Sequence, residues 1–168
     1  MKVQRLCPPD FPQNQAAMKQ VDEIIYDAIS ADTDLMEAIG GRVVSTCFEV
    51  PPYDIDNTQT PYIIVHDSGF FNQQTTKDNL WESEEDQVTT TVEVAADSPG
   101  EVKQIVRKIR AAVASYISTM YANGSEVPEL QSLNSDGIDW DWMKPCYYQH
   151  LNYQCITNAD NTDEQEEE

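Results

Sequence analysis

The sequence predicts an α+β protein organised as one domain with extended ends. Three observations carry this. Two segments place apolar residues at helical spacing, a third alternates β-branched residues at strand spacing, and 40% hydrophobic content over 168 residues is enough for one real core. The domain is expected over residues 16–157, between an N-terminal arm at 1–15 and an acidic tail at 158–168.

Pro8, Pro9 and Pro12 remove backbone donors, so residues 1–15 are expected to form an extended arm rather than a helix or central strand. Met18, Val21, Ile24, Ile25, Ala28 and Ile29 then recur at helical spacing. Lys19, Asp22, Glu23 and Asp27 lie between them, the pattern of an amphipathic helix. Asp32 or Thr33 can cap a short second helix through Leu35, Met36 and Ile39. Gly40-Gly41 ends it, because glycine adopts the left-handed C-cap conformation at little cost.

Strands follow. Arg42 to Val50 is rich in β-branched residues and is stopped by Pro51-Pro52, after which Tyr53 to Thr60 is a polar loop. Tyr62-Ile63-Ile64-Val65 is a short apolar run expected to be buried on both faces. Residues 67–86 are expected to form a long hairpin or loop carrying Phe70, Phe71, Trp81 and the acidic cluster Glu82, Glu84, Glu85 and Asp86. From Gln87, Val88, Thr90, Val92 and Val94 alternate with Thr89, Thr91 and Glu93 as in a half-buried strand.

Ser98-Pro99 opens the strongest helix signal, with serine suited to the N-cap, proline to the first turn and Glu101 to the positive helix end. Val102, Ile105, Val106, Ile109, Val113 and Ile117 form its apolar stripe. Lys103, Arg107, Lys108 and Arg110 lie mostly off it. They are four of only ten basic residues, either a solvated face or a docking surface for a neighbouring subunit's carboxylates. Asn123-Gly124 and Pro128 mark the helix exit. Asp139-Trp140-Asp141-Trp142 falls in irregular sequence before a last strand from Tyr147 to Ile156; the two tryptophans either cover one end of the core or form a protein contact.

Thirty acidic against ten basic side chains give a formal charge of −20, and without the six carboxylates between Asp160 and Glu168 the charge is still −14. Such a surface repels phosphate and lacks a basic footprint, which disfavours specific nucleic-acid recognition; acidity for solubility is the plainer reading. No run approaches the roughly 18 apolar residues that cross a bilayer, and Met1 to Gln15 lacks the apolar core of a signal peptide, so residence in a cytoplasm is expected. Cys7, Cys47, Cys146 and Cys155 are then expected to be free thiols.

Enzymatic chemistry is not expected. Neither His66 nor His150 sits in a catalytic motif, and the six glycines form no phosphate loop or dinucleotide fingerprint. The cysteines and histidines lack local zinc-ligand spacing, and Asp54 to Asn57 and the tail lack the EF-hand pattern, so no cofactor or metal is predicted.

The succession of elements resembles that of the bacteriophage tail-terminator, or tail-to-head joining, family. It is carried by the amphipathic helix, the short helix, Gly40-Gly41-Arg42-Val43-Val44, Thr60-Pro61-Tyr62-Ile63-Ile64-Val65, a variable hairpin, the Val88 to Val94 strand, Ser98-Pro99 and the long helix. It covers about Ala16 to Ile117; the arm, the Trp140–Trp142 region and the tail fall outside it. The resemblance implies an antiparallel sheet of about four or five strands with two main helices on one face. It implies a homo-oligomer, a hexameric ring, at the virion head–tail junction, assembled in the bacterial host cytoplasm. Its partners would be the tail-tube protein on one face and a neck or connector protein on the other, with DNA passing through unbound and no membrane contact. Glu82, Glu84, Glu85 and Asp86 become candidates for the lumen or an interface, and Phe70, Phe71, Trp81, Lys103, Arg107, Arg110, Trp140 and Trp142 candidates for protein contact. The rivals are another neck component, an acidic binding or inhibitor module that mimics DNA, and a small hydrolase whose mark would be a deep pocket holding His66 and His150 together.

Overall fold

The chain runs through α1 (Val21–Ala31), α2 (Thr33–Ala38), β1 (Val43–Ser45), β2 (Tyr62–Val65), β3 (Gly69–Asn72), β4 (Glu85–Ala96), α3 (Pro99–Ala122), β5 (Glu129–Asp141) and β6 (Cys146–Asn158). This is a computed structural model, and it describes residues 21–45, 59–66, 68–72, 85–125, 127 and 129–158. The N-terminal arm, the Pro51-Pro52 stop and the following loop through residue 58, Trp81, Glu82, Glu84, Cys7, Cys47 and the tail beyond Asn158 lie outside the described residues.

The strands form one sheet in the order β1-β2-β4-β6-β5, with β3 also paired to β4. All pairs are antiparallel except β1 with β2. That exception follows from connection length: residues 46–61 separate the two strands, long enough for a crossover, whereas a tight hairpin would have forced them antiparallel. β2 and β3 pair with successive stretches of β4, at Val92–Ala95 and Asp86–Thr89.

The helices pack on one face, as the α+β pattern requires. Ile25, Ala28 and Ile29 of α1 and Val102, Ile105, Ile109 and Val113 of α3 share one core with Ile63, Val65, Val92, Val94, Leu151 and Tyr153 of the sheet. Full burial of each Val, Leu or Ile side chain among these contributes roughly 1.5–3 kcal/mol. Asp32 caps α2 by accepting from the Leu35 amide at 2.8 Å, and Ser98 caps α3 by accepting from the Glu101 amide at 3.3 Å.

Of the two alternatives for residues 67–86, hairpin or loop, the described residues form a hairpin: β3 pairs antiparallel with β4, and Glu85 and Asp86 open β4, paired with Asn158 and Thr157 of β6. Two expectations are corrected. Asp139, Trp140 and Asp141 are not in irregular sequence: they end β5, hidden from period-two reading by irregularities at Leu130/Ser132 and Ser135/Ile138. Asp22, placed by spacing on the polar side of α1, is fully buried; its Oδ1 accepts from Ser68 Oγ at 2.9 Å, and Ser68 Oγ lies 2.6 Å from the buried Thr90 Oγ1.

Candidate functional site

The motifs that define the first half of the chain meet at one corner. Arg42 leaves the Gly40-Gly41 turn and donates through Nε to the Pro61 carbonyl at 2.8 Å and through Nη2 to the Thr60 carbonyl at 3.3 Å. Thr60 Oγ1 in turn donates to Asp97 at the end of β4, just before the α3 cap. The Thr60-Pro61 peptide bond is cis.

The face of the sheet away from the helices is polar along its middle. Successive pairing brings Glu93, His150, Thr91 and Asn152 to one side of β4 and β6, because residues two apart share a face. Both imidazoles approach the same carboxylate oxygen: Glu93 Oε2 lies 3.5 Å from His66 Nε2 and 3.3 Å from His150 Nε2. The hydrogen bond from His66 holds the Glu93 carboxyl below its usual range; burial opposes this and His150 reinforces it. Beside it, Thr91 Oγ1 donates to Asn152 Oδ1 at 2.9 Å, and Asn152 Nδ2 donates to Asn134 Oδ1 at 3.0 Å. His66 and His150 are therefore together, with side chains 41% and 32% exposed, and among the described residues no deep pocket encloses them. Among the described residues, no cluster of three or more His, Cys, Asp or Glu is arranged to hold a metal ion.

The two ends of the sheet expose large apolar side chains. At the β5–β6 turn, Asp141 Oδ1 accepts from the amides of Met143 at 2.8 Å and Lys144 at 3.3 Å, and the turn presents Trp142 and Met143, 86% and 93% exposed. Trp140, at the end of β5, is half-buried and sits edge-on to Tyr147 at 4.7 Å and to Trp142 at 6.2 Å. The two tryptophans thus divide the alternatives: Trp140 packs on the sheet end and Trp142 is open. At the opposite end of β4, Phe71 is exposed, and register places Phe70 beside Val88. The Phe71-paired Gln87 and the Tyr147-paired Ala96 stand nine residues apart on β4, roughly 30 Å.

Along the helix side, Arg107, Arg110, Ala111 and Ala114 form one stripe of α3, spaced i, i+3, i+4 and i+7. With Leu130 and Leu133 of β5 and Tyr153 of β6 they line an open groove of ≈ 390 Å³. Arg107, Arg110 and Lys103 are exposed, as expected. Among the described residues the Tyr153 hydroxyl is buried without a hydrogen-bond partner, and burial pushes its pKa up to about 12, opposed by Arg110. A second groove continues along the helix past Ile117, Ser118 and Tyr121 to Val127 and Glu129. This groove was absent from the sequence reading; the i, i+3, i+4, i+7 stripe beside the core stripe was its only local signal.

These features define an α+β fold whose described residues present a groove, a polar face and two apolar ends. No protein-family model matches the sequence, and no curated protein does. Among solved structures, a chain in the virion of a native gene transfer agent (GTA) particle has a similar fold, with a TM-score of 0.50 at 14% identity over 86% of this chain and 100% of that one.

Proposed function

We propose that the protein is a structural, non-enzymatic virion subunit that closes the tail tube as a hexameric ring, ends tube polymerisation and joins the tail to the neck while leaving a passage for DNA. The observation that carries this reading is the likeness of fold to the whole of a chain from a GTA virion. The order of elements resembling tail terminators points the same way. So do the two apolar ends, Phe71 at one and Trp142 with Met143 at the other. A closed ring has two nonidentical faces, and a subunit with different exposed side chains at its two ends supplies one for the tube and one for the neck.

The charge of −20 suits a lumen that DNA crosses without sticking, since carboxylates repel phosphate and release no counterions to it. The carboxylates assigned to the lumen are those of the tail or of the Glu82–Asp86 cluster. Adding purified protein to polymerising tail-tube subunits tests the proposal. Tubes are expected to stop growing and to carry a ring at one end; unchanged tube length with no ring bound would refute it.

A further inference from the structure

The groove beside α3 combines features that a solvated helix face does not need. Its walls are apolar, from Ala111, Ala114, Leu130 and Leu133, and Leu130 is 40% exposed. Its rim carries Arg107 and Arg110, two of ten basic residues in a chain with thirty acidic ones. An occupant that offered an aromatic side chain to the walls and carboxylates to the two guanidinium groups would match both.

We infer that this groove is the contact between neighbouring copies of the chain, and that it receives the Trp81–Glu85 segment of the next copy. Three segments outside the described residues fit less well than this one, which ends at Glu85, the first residue of β4. The N-terminal arm brings Lys2 and Arg5 toward like charge. The C-terminal tail beyond Asn158 has carboxylates but only Ala159 as an apolar side chain. Residues 46–58 have Phe48 and Tyr53, but their carboxylates, Glu49, Asp54 and Asp56, are spread more widely along the chain than Glu82, Glu84 and Glu85. Trp81-Glu82-Ser83-Glu84-Glu85 joins a large aromatic directly to three carboxylates. In its own copy the segment adjoins the Asn72–Asp86 pair, where β3 lies on the edge of β4 opposite β6 and β5. Arg107 and Arg110 would each take a carboxylate, and an aromatic side chain would cover the apolar walls. The contact is heterologous, groove to segment, which is the kind that closes a ring. It rests on the ring reading for its stoichiometry alone and assigns the Glu82–Glu85 cluster to the interface, leaving the tail for the lumen.

The test is photocrosslinking in the full chain from a benzophenone amino acid at position 130, with ¹⁴N- and ¹⁵N-labelled copies mixed so that peptides joined between copies are told from those within one. The expected product joins position 130 to a peptide containing Trp81 from a different copy. In parallel, E82R/E84R/E85R and R107E/R110E are each expected to weaken self-association on the order of a hundredfold, and the two together to restore it. Both sets of changes are at charged positions, and circular dichroism confirms folding. Crosslinks confined to one copy, crosslinks to the tail or to a different protein, or undiminished association of both charge variants would overturn the inference. Assemblies of another symmetry that still give the Trp81 crosslink would uphold the contact and reject the hexameric ring.

Discussion

Arg42 Nε donates to the carbonyl oxygen of Pro61 at 2.8 Å, which ties the turn after α2 to the entry of β2. Because Nη2 also reaches the Thr60 carbonyl, at 3.3 Å, one side chain satisfies two acceptors. Arg42→Met keeps the aliphatic stem and removes both bonds, and is expected to cost about 1–3 kcal/mol. Gly40→Ala is expected to cost about 1 kcal/mol or more, since Gly40 has φ +59° and a Cβ there would lie 2.6 Å from Arg42 Nη1. Urea denaturation of both variants checks this; unchanged midpoints would show that the corner is held by other contacts.

Glu93 titrates with a folded-state pKa below its ordinary value of 4.5, so its ionised form is favoured by folding. The sign follows: this stability is fully present above pH 4.5 and is lost as pH falls through the lower folded-state value. Glu93→Gln is expected to remove that contribution, so the difference from wild type should shrink progressively with acidification below the same point. Urea titrations between pH 3 and pH 6 (roughly the range over which a carboxyl changes charge) would reveal it. A difference that stays constant across this range would disprove the role of the two histidines in holding the carboxylate charged.

Tyr153→Phe removes a hydroxyl that is buried and, among the described residues, unpartnered, so it is expected to leave the protein unchanged or stabilise it by up to about 1 kcal/mol. Thermal melts check this, and a lowered midpoint would contradict it.

Trp140→Ala and Trp142→Ala are expected to differ sharply. Trp140 stacks edge-on to Tyr147 at 4.7 Å, and losing it should cost about 2 kcal/mol or more. Trp142 is 86% exposed, so Trp142→Ala should stay within about 0.5 kcal/mol of wild type while reducing joining to the partner at that end. Denaturation and an in vitro head–tail joining assay give both readings. Full joining activity of the Trp142→Ala protein would remove this end from the interface.

Local rules made parts of the fold legible. Ser98-Pro99 and the stripe from Val102 to Val113 announced α3, and Asp32 and Gly40 bounded α2, because caps and helical period are written in neighbouring residues. β5 was illegible because its two irregularities break the alternation, and Asn134 to Gly137 has the composition of a turn. Asp22 was misplaced because its burial depends on Ser68, 46 positions away. The same holds for Glu93 and His150, 57 apart, which only the β4–β6 register brings face to face. Of the candidate interface residues, Arg107 and Arg110 lie where the helical stripe put them, while the groove they edge required β5.

Native mass spectrometry of the purified protein with particle imaging tests the central claim most directly. Six copies of the 19.0 kDa chain in a closed ring with a central opening is the predicted result. A monomer that persists as concentration is raised, with no ring in any image, would contradict it.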